Sequence, residues 1–180
     1  MPGSRPHGKR HTKEWLRSLP YNPIYAMDVG TGDGKYLRLL YQEFNDRSRF
    51  YIEGIEVFYP YIKDFELEKK YDKIHNIDAR CFDWSKRRFD VVFFGDVLEH
   101  MKKSEAVSLV KNASEHSKHV LINIPIFFSE QEPINGNEFE RHIKPDWTHE
   151  EVMQTWPSLR RIDTSGKNRH LKGVYIMDGF

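Results

Sequence analysis

Two acids and an imidazole occupy five consecutive positions in Asp96-Val97-Leu98-Glu99-His100, directly after an apolar run that ends at Gly95. An imidazole with an ordinary pKa near neutrality can take a proton from a hydroxyl nucleophile. His100 is therefore the first candidate general base, with Asp96 as the second catalytic candidate. A further group lies upstream, in Asp28-Val29-Gly30-Thr31-Gly32-Asp33-Gly34. Its glycines allow a tight turn and a closer approach of backbone to ligand than any Cβ permits. A dinucleotide site would want Gly-x-Gly-x-x-Gly with phosphate at the helix N-terminus, and Asp28 would repel a pyrophosphate. Glu56 ends another apolar run, where a carboxylate can accept both hydroxyls of a ribose.

These residues need elements to hold them. Ile24 to Val29 reads as a strand and the segment from Leu37 to Phe44 as a helix, so the glycine turn joins strand to helix. Phe50 to Val57 is a second strand, Tyr61, Ile62 and Phe65 mark a helical stripe after Pro60, and Asp72 to Ile77 is a short third strand. Phe89 to Asp96 is apolar on both faces, as a central parallel strand should be. Ser104 to His116 gives a helix with Ala106, Val107, Leu109, Val110 and Ala113 on one side. His119 to Ile126 is a fifth buried strand. The 21 residues from Phe127 to Trp147 have no clear periodicity, and loops of such length in compact domains usually carry function. Thr148 to Trp156 reads as a helix with a capping box formed by Thr148 and Glu151. Leu159 to Thr164 and Lys172 to Asp178 close the chain as two strands. Strands alternating with helices imply an α/β fold, with a parallel sheet covered on both faces and right-handed crossovers.

The acid and glycine turn at Asp28 to Gly34, followed in order by Glu56, Asp78-Ala79 and Gly95-Asp96, resembles the motif series of the class I S-adenosylmethionine-dependent methyltransferases. The resemblance covers about residues 20 to 180. It implies a single-domain, three-layer α/β/α Rossmann-like methyltransferase fold, with a seven-stranded, mostly parallel sheet in the order 3-2-1-4-5-7-6 and strand 7 antiparallel. It implies cofactor contacts from Asp28, Gly30, Thr31, Gly32, Gly34, Glu56, Val57, Asp78, Ala79, Gly95 and Asp96. In that pattern the glycine turn packs on the methionine part, Glu56 takes the ribose and Asp78 the adenine amino group, while Ala79 packs on the ring. S-adenosyl-L-methionine is then the cofactor and S-adenosyl-L-homocysteine the product.

The Asp96-x-x-Glu99-His100 spacing is also similar to the Glu-x-x-Glu-His metal motif of small-RNA 3′-terminal 2′-O-methyltransferases and some ubiquinone-pathway O-methyltransferases. That likeness implies a divalent metal on Asp96, Glu99, His100 and a histidine after the fifth strand, here His142, with His149 as second choice. Carboxylate with imidazole suits Mg, Mn or Zn. The first acid here is Asp, one methylene shorter than the motif's Glu. The loop from Asn135 to Trp147 is similar to loops of small bacterial and phage-type methyltransferases, and is expected to line the acceptor pocket.

The leading reading is methyl transfer to a hydroxyl of a small molecule or sugar. An RNA or nucleotide acceptor is the alternative, drawing on Arg160, Arg161, Lys167, Arg169 and Lys172 and on a basic N-terminal arm. Gly-Asp-Val-Leu stands where base N-methyltransferases carry Asn-Pro-Pro-Tyr, which counts against base methylation. A cofactor-binding accessory subunit without catalysis is the reading from another class.

Length and composition set the outer bounds. One hundred and eighty residues with 38% hydrophobic and 14% aromatic content suit one globular domain. Residues 1 to 20 are expected as a flexible basic arm with a short helix from Glu14 to Leu19, Trp15 and Leu19 facing inward, and residues 21 to 180 as the catalytic domain. The net charge of +1 makes no global case for nucleic acid. The single cysteine, Cys81, excludes an internal disulfide and fits a reducing compartment. No apolar run reaches the roughly 20 residues of a membrane span, and no signal-peptide core is present. The expectation is a cytoplasmic protein, monomeric or homodimeric, with no membrane partner.

Overall fold

The computed structural model describes residues 9–165 and 171–179. Lys167 and Arg169 lie outside them. Seven strands form one sheet in the order β3-β2-β1-β4-β5-β7-β6. These are β1 (Ile24–Val29), β2 (Phe50–Ile55), β3 (Lys73–His75), β4 (Phe89–Gly95), β5 (Ser117–Pro125), β6 (Arg160–Ser165) and β7 (Lys172–Asp178). β1 to β5 pair in parallel, and β7 runs antiparallel between β5 and β6. The strand reversal between β1 and β4 opens the sheet's carboxyl edge to a ligand.

Period-2 alternation on the central strands feeds two cores. Ile24, Ala26, Val91 and Phe93 face one side, where α1 (Lys9–Ser18), α2 (Lys35–Phe44), α3 (Tyr59–Asp64) and α4 (Leu67–Lys70) supply Leu16, Leu37, Leu40, Ile62 and Leu67. Val29, Val92, Phe94, Val120 and Ile122 face the other, where α5 (Lys103–Ser114) and α6 (His149–Thr155) supply Leu109, Val110 and Val152. Thr148 caps α6 by accepting from the Glu151 N–H at 3.1 Å, while the Glu151 carboxylate pairs with Lys103 and Lys144.

The N-terminal expectation needs correction. The first described residue, Lys9, already begins a ten-residue helix, where the sequence pattern suggested a flexible arm up to Lys13. That helix buries Trp15 and Leu16, with Leu19 only partly covered. Its register is fixed by packing on α2, by the Arg17–Glu43 ion pair and by Tyr21, whose hydroxyl meets His119 Nε2 at 3.2 Å. Among the described residues, no helix is long and apolar enough to cross a membrane.

Candidate active site

A cavity of about 370 Å³ opens at the carboxyl edge of β1, β2 and β4. One half is walled by Gly30, Thr31 and Gly32 after β1, Glu56 and Val57 after β2, and Asp78 and Ala79 after β3. Gly95, Asp96, Glu99, His100 and His142 line the other half, with Lys172 of β7. The sequence motifs therefore converge on one cavity from five separate strand ends.

Two of the expected cofactor residues are not among the lining residues. Asp28 shares the α2 face of β1 with Ile24 and Ala26, is buried, and accepts a hydrogen bond from the Tyr71 hydroxyl at 2.6 Å. Burial pushes its carboxyl well above the usual range, opposed by the Tyr71 bond. Gly34 is turned toward Tyr71 and Leu67 and precedes α2. Both residues shape the turn from behind. The turn itself needs glycine: Gly30 has φ +67°, and a Cβ there would stand 2.6 Å from Val97 Cγ2.

Glu56 is buried and braces the turn. Its Oε2 accepts from the Gly32 N–H at 3.0 Å and from Thr31 Oγ1 at 3.3 Å, and its Oε1 accepts from the Phe58 N–H at 2.9 Å. Burial raises its carboxyl pKa against those bonds. A carboxylate offers about four lone-pair positions, so one is left for a ligand hydroxyl. Asp78 holds the Arg80 guanidinium, with Oδ2 to Nη2 at 2.5 Å, and that bond lowers its pKa.

Beyond β4 the backbone turns sharply. Asp96 adopts φ +59°, a costly conformation for a residue with a Cβ. Its N–H donates to the Asn123 carbonyl at 2.8 Å, and its Oδ2 accepts from Lys172 Nζ at 2.5 Å. Gly95 clears space for the Tyr36 ring, which stacks on Phe93 with centroids 4.6 Å apart; a Cβ would come within 2.1 Å of it. A 3-10 turn, Leu98–His100, follows.

That turn captures the long loop. The Glu99 carbonyl accepts from the N–H groups of both Ile143 (2.9 Å) and Lys144 (3.0 Å), and the Ser129 N–H donates to the Pro145 carbonyl at 2.8 Å. The loop is thereby folded over the site, and His142 meets His100 with ring centroids 4.8 Å apart. His100 Nδ1 contacts the Arg141 carbonyl at 3.2 Å and His142 Nδ1 the Ser129 carbonyl at 2.5 Å. A carbonyl can only accept, so each Nδ1 carries the hydrogen. In the neutral rings each Nε2 is then left as a bare lone pair. Burial lowers the His142 pKa, keeping that ring neutral at neutral pH.

One candidate ligand atom from each of Glu99, His100 and His142 lies within 4.8 Å of the others. Glu99 is 2% exposed, its Oε2 has no partner, and burial followed by the nearby Asp96 raises its pKa well above the usual range. Two members of the expected metal set fall outside. Asp96 is committed to Lys172, and His149 stacks on Tyr175, its Nδ1 3.0 Å from that hydroxyl.

Sequence reasoning missed Lys35 and Tyr36 as cavity residues and grouped Lys172 with the basic residues behind an RNA or nucleotide acceptor, while Glu140 comes from the loop expected to line the acceptor pocket. Lys172 is buried beside Asp96 and faces the cavity rather than an exposed basic surface. A lysine heading an otherwise apolar strand was the available signal. Trp147, within the loop, is 1% exposed and stacks on Trp156, so it packs rather than lines the cavity.

No family model matches this chain, and no curated protein does. Solved structures do. The N-terminal domain of EvdMO1 with S-adenosylhomocysteine bound superposes with TM-score 0.71 at 13% identity, over 98% of this chain and 83% of that one. The fold is that of the class I methyltransferases. An S-adenosylmethionine-dependent methyltransferase from Clostridium acetobutylicum ATCC 824 gives TM-score 0.68 at 10% identity, over 95% and 91% of the two chains. Magnesium protoporphyrin IX methyltransferase from Synechocystis PCC 6803 with bound S-adenosylmethionine gives 0.64 at 10%, over 93% and 76%. The strand order and the antiparallel β7 of a methyltransferase fold are thus present in full. The cavity suits such a cofactor: bare backbone at the glycine turn, an acid with an open lone pair at Glu56, and an ionised acid at Asp78.

Proposed function

We propose that this chain is an S-adenosylmethionine-dependent methyltransferase acting on a hydroxyl of a small molecule or sugar. Bound S-adenosylmethionine supplies an electrophilic methyl group on a sulfonium. The glycine turn, Glu56 and Asp78 orient that cofactor, and alignment of nucleophile, methyl carbon and sulfur is the main protein contribution. One imidazole of the His100–His142 pair would take the single proton that the hydroxyl loses as the carbon–oxygen bond forms and the methyl carbon–sulfur bond breaks, leaving the thioether product. The observation that carries this reading is the pair of imidazoles with Nδ1 anchored on backbone carbonyls and Nε2 bare, both lining the cavity that the glycine turn enters. Tritiated-methyl transfer to a panel of phenols, catechols and sugars tests it. The expectation is turnover of a hydroxyl acceptor, lost on His100→Ala; transfer only to amines contradicts the assignment of oxygen as the nucleophile.

One observation supports a metal-assisted variant of this reading. Glu99, His100 and His142 form a two-histidine, one-carboxylate set, and the buried Glu99 Oε2, unpartnered among the described residues, is an acid that a cation would hold ionised. These three residues would hold the ion and Asp96 would not. Titration of the protein with Mn²⁺, followed by the EPR signal of the free ion, should show one site abolished by His142→Ala. An unchanged free-ion signal removes the metal and leaves the two-histidine base.

A further inference from the structure

We propose that the methyl acceptor carries an anionic group, a carboxylate or phosphate, received by Lys35 and Lys172 beside the transfer centre. This rests on the methyltransferase reading and adds the acceptor's class. Lys35 is the first residue of α2 and lines the cavity half-buried, with neither a hydrogen bond nor an ion pair among the described residues. Lys172, buried, reaches the same wall from β7 and bonds Asp96 at 2.5 Å. Lys9 of α1 and Arg38 of α2 stand behind them, and Arg38 is already paired with Asp33 at 2.9 Å. The acids that oppose Lys35 most, Asp96 and Asp33, are already bonded to Lys172 and Arg38. A half-buried ammonium whose nearest acids are already bonded to other cations is costly, and its cationic neighbours make it costlier. Burial holds Lys35 down to about 8, with Lys9 and Lys172 adding to the effect and Asp96 opposing it. An anion at this wall neutralises the surplus with charge-assisted hydrogen bonds.

The position of Lys172 favours the acceptor as the anion's source. Lys172 pairs in register with Pro125, where the acceptor-side loop begins, and Lys9 belongs to the N-terminal helix. Neither element carries the glycine turn, Glu56 or Asp78, whereas Lys35 follows that turn directly at the start of α2. The cofactor has a carboxylate of its own, so the test must separate the two sources.

The experiment uses protein saturated with S-adenosylhomocysteine, titrated with inorganic phosphate, 3-hydroxybenzoate and the neutral 3-hydroxybenzyl alcohol and followed by NMR shifts. Both anions should saturate below about 10 mM, with the benzoate about tenfold tighter than the alcohol. Lys35→Gln should abolish that preference and Lys35→Arg keep it, while S-adenosylhomocysteine affinity in the folded Lys35→Gln protein changes less than about twofold. Equal binding of charged and neutral probes, or no saturation by either anion, overturns the proposal. So does a Lys35→Gln protein that loses about tenfold for S-adenosylhomocysteine but nothing for 5′-methylthioadenosine, which assigns the lysine to the cofactor's carboxylate. Failure of S-adenosylhomocysteine to bind wild-type protein removes the methyltransferase reading itself, and the proposal with it.

Discussion

Burial holds the carboxyls of Asp28, Glu56 and Glu99 all above their ordinary range, and Glu99 has the least help from hydrogen-bond donors. A raised native pKa means the folded chain binds more protons than the unfolded one. Stability is then full below the unfolded pKa and is lost as pH rises through the native value. Glu99→Gln mimics the protonated acid. In metal-free protein it should raise Tm over wild type at about pH 8, with the gain shrinking toward pH 4; parallel Tm curves for the two proteins contradict this. His142 behaves in the opposite sense, since burial lowers its pKa and favours the neutral ring needed to accept a proton. His100→Ala and His142→Ala should each lower kcat by about 10²–10⁴ with little change in cofactor affinity, measured by single-turnover methyl transfer. At this scale the sequence was partly legible. Glu56, Asp78 and His100 follow strand or turn ends, where position alone directs a side chain to the carboxyl edge. Asp28 lies inside a strand, where period 2 decides the face, and that face belongs to Tyr71 rather than to the cavity.

Elements separate what periodicity can reveal from what tertiary contacts decide. β4 and β5 were legible because strands buried on both faces are continuously apolar, and the observed bounds differ from expectation by two residues at most. The loop from Phe127 to Trp147 was not, because its anchors are backbone groups: the Glu99 carbonyl can take any two N–H donors, so no residue type marks the contact. The N-terminal helix was underestimated for a related reason. Its first turn carries no apolar residue, and its stability comes from Trp15 and Leu16 packing on α2 and the sheet. Trp15→Ala should therefore cost about 3–5 kcal/mol in urea unfolding, whereas a flexible arm would give no measurable change. Gly95→Ala drives a methyl group into the Tyr36 ring and should destabilise the protein by about 1–3 kcal/mol. Tyr36→Ala combined with Gly95→Ala should then be less destabilised than the sum of the single changes.

The whole molecule is a sheet whose order reverses between β1 and β4, with every motif delivered to that point by a separate strand end. The alternation of strands and helices was enough to expect a covered parallel sheet, and the resemblance to the class I methyltransferases implied its order. The shape of the acceptor half was beyond reach, because Lys35, Lys172, Glu140 and His142 come from α2, β7 and the loop and meet only in three dimensions. The cavity at the reversal is the proposed binding site for S-adenosylmethionine. Calorimetric titration with S-adenosylhomocysteine tests it most directly. One site with Kd in the range of about 1–100 μM is expected, abolished by Gly32→Val, which forces a β-branched side chain onto left-handed backbone at φ 49° in the turn. Absence of heat with ligand in the millimolar range, from a protein shown to be folded, would contradict it.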